Sequence, residues 1–334
     1  MKAIELFAGA GGAALGLEAA GIGHRALCEW DRHACATLRA AGLGPVVEGD
    51  VRDLDGIEDV SGPGPVDVLW SSFPCQAWSV AGQRKGATDE RNGWPWTVDA
   101  IDRFRPRWFL AENVRGLLAH STEGHPDPFQ CPRCYFESVI LAQLRARFDH
   151  VGYWLLNAAD YGVPQHRRRV IIWAGPAPLQ APRATHGDPG KARQGDLFGP
   201  GVLPWITCGS QLGARVFCHG THPENGPSVY DRRIREMTNQ PMVTLAASYT
   251  GKAGGHPWLV ENKPQASKTE IRDCARRPMN AAELAMMQGF PCDHPFQGGK
   301  VAKIAQIGNA VPPRLAEVVG RAVVEADRML TEAP

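Results

Sequence analysis

The chain has 334 residues, a formal net charge of +1, and 43% hydrophobic against 21% charged residues. That is enough to bury a full core in about two domains, and it excludes a polybasic tail or a chain that wraps nucleic acid by bulk charge. No apolar run reaches the ~18 residues that a bilayer span needs, the N-terminus lacks the layout of a secretory signal, and nine cysteines, an odd number, fit a reducing cytoplasm better than a disulfide scaffold.

Ala3–Phe7 predicts a strand, Gly11–Ala20 a helix, His24–Glu29 a strand, and Asp31–Ala41 a helix capped by Asp31. Gly49-Asp50-Val51 closes an apparent third strand. Val66–Ser71, Arg107–Ala111, Tyr153–Asn157 and Val170–Ala174 read as further strands, with helices at Val98–Phe104 and Ser138–Phe148. This alternation predicts an α/β, Rossmann-like, doubly wound and mostly parallel sheet. Residues 174–204 hold six Pro and six Gly, a linker composition. Helical pattern returns at Ala281–Met287 and Arg314–Met329. The expected organisation is a front domain over 1–182, a small irregular insert over 183–277, and a C-terminal return over 278–334 that completes the front domain. Charge follows that division, with 15 basic against 20 acidic side chains in 1–150 and 13 against 8 in 183–277.

Phe7-Ala8-Gly9-Ala10-Gly11-Gly12 makes a glycine turn between a strand and a helix. Such a turn lets backbone approach a ligand at a helix N-terminus, or simply turns tightly. Glu29, about 20 residues on at the next strand end, suits a ribose, and Asp50 at the third suits an adenine amino group. Cys75, in Phe73-Pro74-Cys75-Gln76, follows a buried strand beside that edge and is a candidate nucleophile; the bland alternative is a buried thiol. Residues 80–94 read as a mobile lid. Glu112, in Glu112-Asn113-Val114, is either a solvated loop residue or an acid facing Cys75. Gln165-His166-Arg167-Arg168-Arg169 places arginines before a buried strand, where they need anions or acceptors.

With Gly308-Asn309-Ala310-Val311-Pro312-Pro313, these motifs resemble those of the DNA (cytosine-5)-methyltransferases of the bacterial restriction–modification type, in the family's order. The resemblance implies the S-adenosylmethionine-dependent methyltransferase fold and site-specific methylation of cytosine C5 in double-stranded DNA. It implies S-adenosyl-L-methionine as donor and S-adenosyl-L-homocysteine as product. Cys75 would add to C6 of a flipped-out cytosine, Glu112 would act at N3, and Arg167 and Arg169 would contact the nucleotide and help hold Glu112. Phe7 and Trp30 would flank the adenine and Glu29 would hold the ribose. Ala8, Gly9, Gly11, Gly12, Asp50, Val51 and Pro74 would complete that site, with Asn309 and Ala310 at the methionine end. Gln76, Ser79, Gln83, Arg84, Arg91 and Gln165 would face DNA. The basic insert stands where the family has its target-recognition domain, with Arg232, Arg233 and Thr244 as its candidate contacts; Arg215 and Arg235 are further candidates. The implied setting is a cytoplasmic monomer, paired with a cognate restriction endonuclease.

Departures from the family pattern are Ser72, where glycine is common before Phe-Pro-Cys, and Asn280 and Ala282 in the segment resembling its ninth motif. Two other readings stay open: a same-fold enzyme acting on RNA or transferring a modified alkyl group, and a catalytically silent DNA-binding relative. Residues 118–137 are longer than the family needs, and they carry His120, His125, Cys131 and Cys134. The Cys131–Cys134 pair is a zinc candidate; a turn with two thiols is the commoner meaning of one such pair. Cys218, His219 and His222 form a second candidate cluster.

Overall fold

The computed structural model describes residues 1–74, 92–120, 131–188, 202–219, 234–245, 257–260 and 276–332. By internal contacts these divide into two compact units: 1–156, 168–182 and 316–334 form unit 1, and 157–167 with 183–315 form unit 2. This division cuts the chain along different lines from those drawn in the sequence, because 278–315 group with the insert rather than with the front domain.

In unit 1 the strands are β1 (Lys2–Leu6), β2 (Gly23–Glu29), β3 (Val46–Glu48), β4 (Val68–Ser71), β5 (Trp108–Val114), β6 (His150–Asn157, whose last residue groups with unit 2) and, after the short β7 (Gln165–His166) of unit 2, β8 (Arg168–Gly175). Among the described residues they form a seven-stranded sheet of order β3-β2-β1-β4-β5-β8-β6. The pairs from β3 through to β5 are parallel, and β8 runs antiparallel to β5. The centre strands are apolar on both faces, as a sheet covered by helices on both sides requires: Ile4, Leu6, Leu69, Phe109, Val170 and Ile172 lie in one core.

The helices of unit 1 start where the local chemistry permits. α1 (Gly12–Ala19) opens from the glycine turn. α2 (Arg32–Ala40) is capped by Asp31, which accepts from the Ala34 N–H at 2.8 Å. α3 (Leu54–Ser61) is capped by Asp53, and α4 (Trp94–Phe104) carries Pro95 in its first turn. α5 (Pro132–Tyr135) passes into π-helix over Phe136–Leu141 and then into α6 (Ala142–Arg145). The C-terminal helix, Pro313–Glu332, returns to this unit: Asp327 accepts from Arg107 Nε at 2.6 Å and from the Trp108 indole at 2.8 Å.

In unit 2, β7 pairs in parallel with a strand at Met242–Val243. Expected to be irregular, the insert contains, among the described residues, an antiparallel four-stranded sheet built from Arg215–His219, Ile234–Glu236, Trp258–Val260 and Arg276–Pro278. Those strands are three to five residues long and pair across long sequence gaps, so no local period announces them. A helix over Ala281–Gln288 begins with a reciprocal capping box: Asn280 accepts from the Glu283 N–H and Glu283 from the Asn280 N–H. Asn280, a departure from the family pattern, is thus a sound N-cap. No helix among the described residues is long and apolar enough to cross a membrane.

Candidate active site

The candidate cofactor edge begins where β1 leaves the sheet. Phe7 takes a left-handed backbone, φ 58°, an outlier that a residue with a side chain adopts only where its surroundings impose it. Gly9 (φ 56°) and Gly11 (φ 83°) follow. A Cβ on Gly11 would lie 2.5 Å from Leu43 Cδ1, so packing requires glycine there as well as φ. On Gly9 a Cβ would meet nothing within 4 Å; the backbone conformation alone is the constraint. The Ala8 N–H donates to the Cys28 carbonyl at 3.0 Å and fastens the turn to β2, and Gly12 opens α1.

Glu29 ends β2 as a buried carboxylate. It accepts from the backbone N–H of Gly9 at 2.7 Å, of Trp30 at 2.9 Å and of Asp31 at 2.8 Å. Burial pushes its pKa above the ordinary carboxylate value, against the pull of those three donors. An ionised carboxylate offers about four lone-pair sites, which leaves one, on Oε2, the oxygen that takes only Gly9. Beside it Trp30 is 78% exposed, an indole that folding leaves in water. Val51 belongs to the core. Asp50 is engaged: Arg52 grips it through Nε–Oδ1 at 2.9 Å and Nη2–Oδ2 at 2.5 Å, and that guanidinium holds the carboxyl below its usual range. Arg52 was not singled out by the sequence.

Glu112 sits within β5 rather than on a loop, and it is 8% exposed. Arg169 Nε lies 2.6 Å from its Oε1. Antiparallel pairing sets this contact: Arg169 is opposite Val114, so Glu112 is its diagonal neighbour on the same face. The next residue, Asn113, turns to the other face, and its Nδ2 donates to the Phe73 carbonyl at 3.2 Å. Ser72, the departure before Phe73, accepts from the Trp70 indole at 2.9 Å. Pro74 is the last described residue ahead of the nucleophile candidate. Cys75, Gln76, Ser79, Gln83, Arg84 and Arg91 lie outside the described residues, as do Arg232 and Arg233, and nothing is described of the Arg215 and Arg235 side chains.

Gly93 precedes α4. A Cβ there would lie 2.7 Å from Pro74 Cδ, 3.0 Å from Phe7 Cζ and 3.1 Å from Phe73 Cβ. Gly93 is therefore the point where the glycine turn, the Phe-Pro segment and α4 converge. Neither Gly93 nor Asn113 was assigned a role from the sequence, although Asn113 lies inside a recognised motif; a glycine directly before a helix was the available signal.

In unit 2 the candidate residues are engaged internally. Arg167, 2% exposed, donates through Nη1 to the Leu245 carbonyl at 3.2 Å and through Nη2 to the Asn309 carbonyl at 3.5 Å. Gln165, expected to face DNA, is fully buried. Its Nε2 donates to Gln288 Oε1 at 2.6 Å and its Oε1 accepts from the Leu245 N–H at 3.0 Å, so it acts as an internal brace. Gln288 in turn donates to the Ala310 carbonyl. Thr244 is exposed and its hydroxyl donates to the His166 carbonyl at 2.8 Å.

The sequence over residues 1–189 and 214–325 matches the family described as C-5 cytosine-specific DNA methylase. The chain belongs to this family. The methylase is 31% identical to the type II methyltransferase M.NgoMIV of Neisseria gonorrhoeae over 97% of each chain. It is 34% identical to M.PspPI of Psychrobacter, covering 99% of this chain and 80% of that one. Among solved structures, the Dnmt2 methyltransferase of S. pombe superposes with a TM-score of 0.65 at 14% identity, over 99% of each chain. A DNA modification methyltransferase encoded within an E. coli prophage gives 0.61 at 18% identity, over 99% of this chain and all of the other. At such identities these last two show the fold. As a C-5 cytosine methylase, the protein transfers a methyl group from S-adenosylmethionine to C5 of cytosine in DNA. The glycine turn, the buried Glu29 with one lone pair to spare and the exposed Trp30 indole fit the adenosine part of that donor.

Proposed function

We propose that the methylase acts site-specifically on a cytosine flipped out of duplex DNA, with Cys75 as nucleophile and Glu112 as the acid at N3. Leaving the stack costs the base a few kcal/mol, and the C6 face is out of reach until it does. The Cys75 thiolate would add to C6, while Glu112 donates its proton or a hydrogen bond to N3 and so makes C5 electron-rich. Bound S-adenosylmethionine supplies an electrophilic methyl group. Loss of the C5 proton to a base would then expel Cys75 and restore the ring.

The observation that carries this reading is the buried Glu112–Arg169 pair at 2.6 Å, one residue along β5 from the amide that holds Phe73. Burying a carboxylate and a guanidinium costs desolvation, and service to a bound base would give this pair a reason beyond stability. Arg169 would orient Glu112 and balance its charge. Arg167 would act at a distance, as a positioning residue, through the Leu245 and Asn309 backbone. Trp30 and Phe7 would flank the adenine, and Glu29 has capacity for one ribose hydroxyl on Oε2. Asn309 and Ala310 would serve the methionine end. Arg232, Arg233 and Thr244 would belong to target recognition, with Gln76, Ser79, Gln83, Arg84 and Arg91 on the lid side of the base. Type II relatives support a cognate restriction endonuclease as the partner activity and a cytoplasmic setting.

Transfer of label from S-adenosylmethionine into duplex DNA, together with a covalent adduct on 5-fluorocytosine DNA, is the expected result. A Cys75→Ser variant that still transfers methyl would overturn the mechanism. Bisulfite sequencing of DNA from an expressing host would read out the target site.

A further inference from the structure

Among the described residues, three donors of the metal-binding kind meet away from the chemistry above: His120, Cys131 and Cys134. Each offers one ligand atom, and the three atoms lie within 4.8 Å of one another. Cys131 Sγ is 3.9 Å from His120 Nδ1, and Cys134 Sγ lies within 4.8 Å of both. Zinc–sulfur bonds of about 2.3 Å and zinc–nitrogen bonds of about 2.0 Å, at tetrahedral angles, set ligand atoms roughly 3.5–3.8 Å apart. The cluster is therefore within a small side-chain adjustment of a zinc site.

Backbone bonds hold this arrangement. Cys131 is the residue ahead of α5, and its carbonyl accepts from the Tyr135 N–H at 2.9 Å. Cys134 follows three residues later, on the same helical face. The Arg133 N–H donates to the Ala119 carbonyl at 3.2 Å, which brings the residue before His120 against the start of that helix. Cys131 is buried, Cys134 half-buried and His120 exposed, so the donors run from core to surface and leave a path for an ion. The same helix start is tied to the nucleophile side of the fold, because the Tyr135 hydroxyl accepts from Asn92 Nδ2 at 2.9 Å, next to Gly93.

We infer that His120, Cys131 and Cys134 bind a structural zinc ion that clamps the chain leaving the catalytic strand β5 to the start of α5. Two thiolates would neutralise the dication. Two sulfurs and an imidazole select zinc over magnesium or calcium, which prefer oxygen. The fourth position falls to water or to a further donor.

The test uses the full-length, tag-free enzyme purified under reducing conditions without chelator. Elemental analysis should find about one zinc per chain. Cobalt(II) added after zinc removal should give a thiolate-to-metal charge-transfer band and the visible bands of a tetrahedral site. Cys131→Ser and Cys134→Ser should lose the zinc, His120→Ala should hold it less tightly in competition with a chromogenic chelator, and Cys292→Ser should retain it. If the cysteine variants fail to fold, the wild-type cobalt spectrum decides. Zinc-free protein that gives no thiolate band with cobalt overturns the proposal, and so does a Cys131–Cys134 disulfide in the freshly alkylated protein.

Discussion

Asn113 Nδ2 donates to the Phe73 carbonyl at 3.2 Å, tying the strand that carries Glu112 to the Phe73-Pro74 segment. Both groups are buried, so the bond replaces water that neither could otherwise reach. Asn113→Ala leaves the Phe73 carbonyl without this donor, at a cost of about 1–3 kcal/mol. A misplacement of the nucleophile by ~1 Å can cost roughly 100-fold in rate. The expected outcome is a fall in kcat out of proportion to the loss of Tm. Unchanged kcat would detach Asn113 from the positioning of Cys75.

Glu112 and Arg169 form a buried pair, and removing one partner strands the other charge. Arg169→Ala should destabilise the fold by roughly 3–5 kcal/mol. Glu112→Gln keeps the shape but removes the acid, so it should lower kcat by roughly 100- to 10,000-fold while S-adenosylmethionine binding, read by calorimetry, is retained. Chemical denaturation of both variants separates the two effects.

Gly93→Ala brings a methyl group against Pro74, Phe7 and Phe73. The backbone at Gly93 is ordinary, φ −78°, so the strain is purely one of contact. Overpacking of this kind costs about 1–3 kcal/mol. With Phe7 proposed to flank the adenine and Phe73 two residues ahead of the proposed nucleophile, the KM for S-adenosylmethionine should rise together with a fall in kcat. A variant that lowers Tm alone would make Gly93 a packing residue without a share in the site.

His24 lies buried between Glu5, with Nε2–Oε2 at 3.4 Å, and Glu18, with Nδ1–Oε1 at 3.6 Å. Burial pulls its pKa down, and the two carboxylates more than offset that, lifting it to about 9. The folded state therefore holds the proton more tightly than the unfolded chain does. The stabilisation is fully present below the unfolded value of about 6.5 and is lost as pH rises through about 9. Wild-type Tm should decline across that window and His24→Gln should flatten the decline. Identical pH profiles for the two proteins would refute the assignment.

Much of the fold was legible because it depends on short-range pattern. Asp31 before an amphipathic run names a helix start, and α2 begins there. Apolar strands alternating with helices name a parallel sheet. Residues 300–309 form a helix that the sequence did not announce, since its polar and small residues blur the period. The antiparallel sheet of the insert was not legible at all, because three-residue strands declare themselves only through their partners. Gln165 shows the same limit within the site: its type suited a DNA contact, but only its neighbours Gln288 and Leu245 make it a buried brace.

By itself, the sequence determined the family and named Glu29, Glu112 and Arg169 as candidates, because both rest on residue type and spacing along the chain. Tertiary structure alone decided which side chains meet. Arg169 meets Glu112, Arg52 occupies Asp50, three backbone N–H groups leave Glu29 one lone pair, and His120 joins Cys131 and Cys134. Each outcome turns on an ångström-scale contact between groups held on separate segments, and charge and hydrogen-bonding capacity take their final values only when such contacts form.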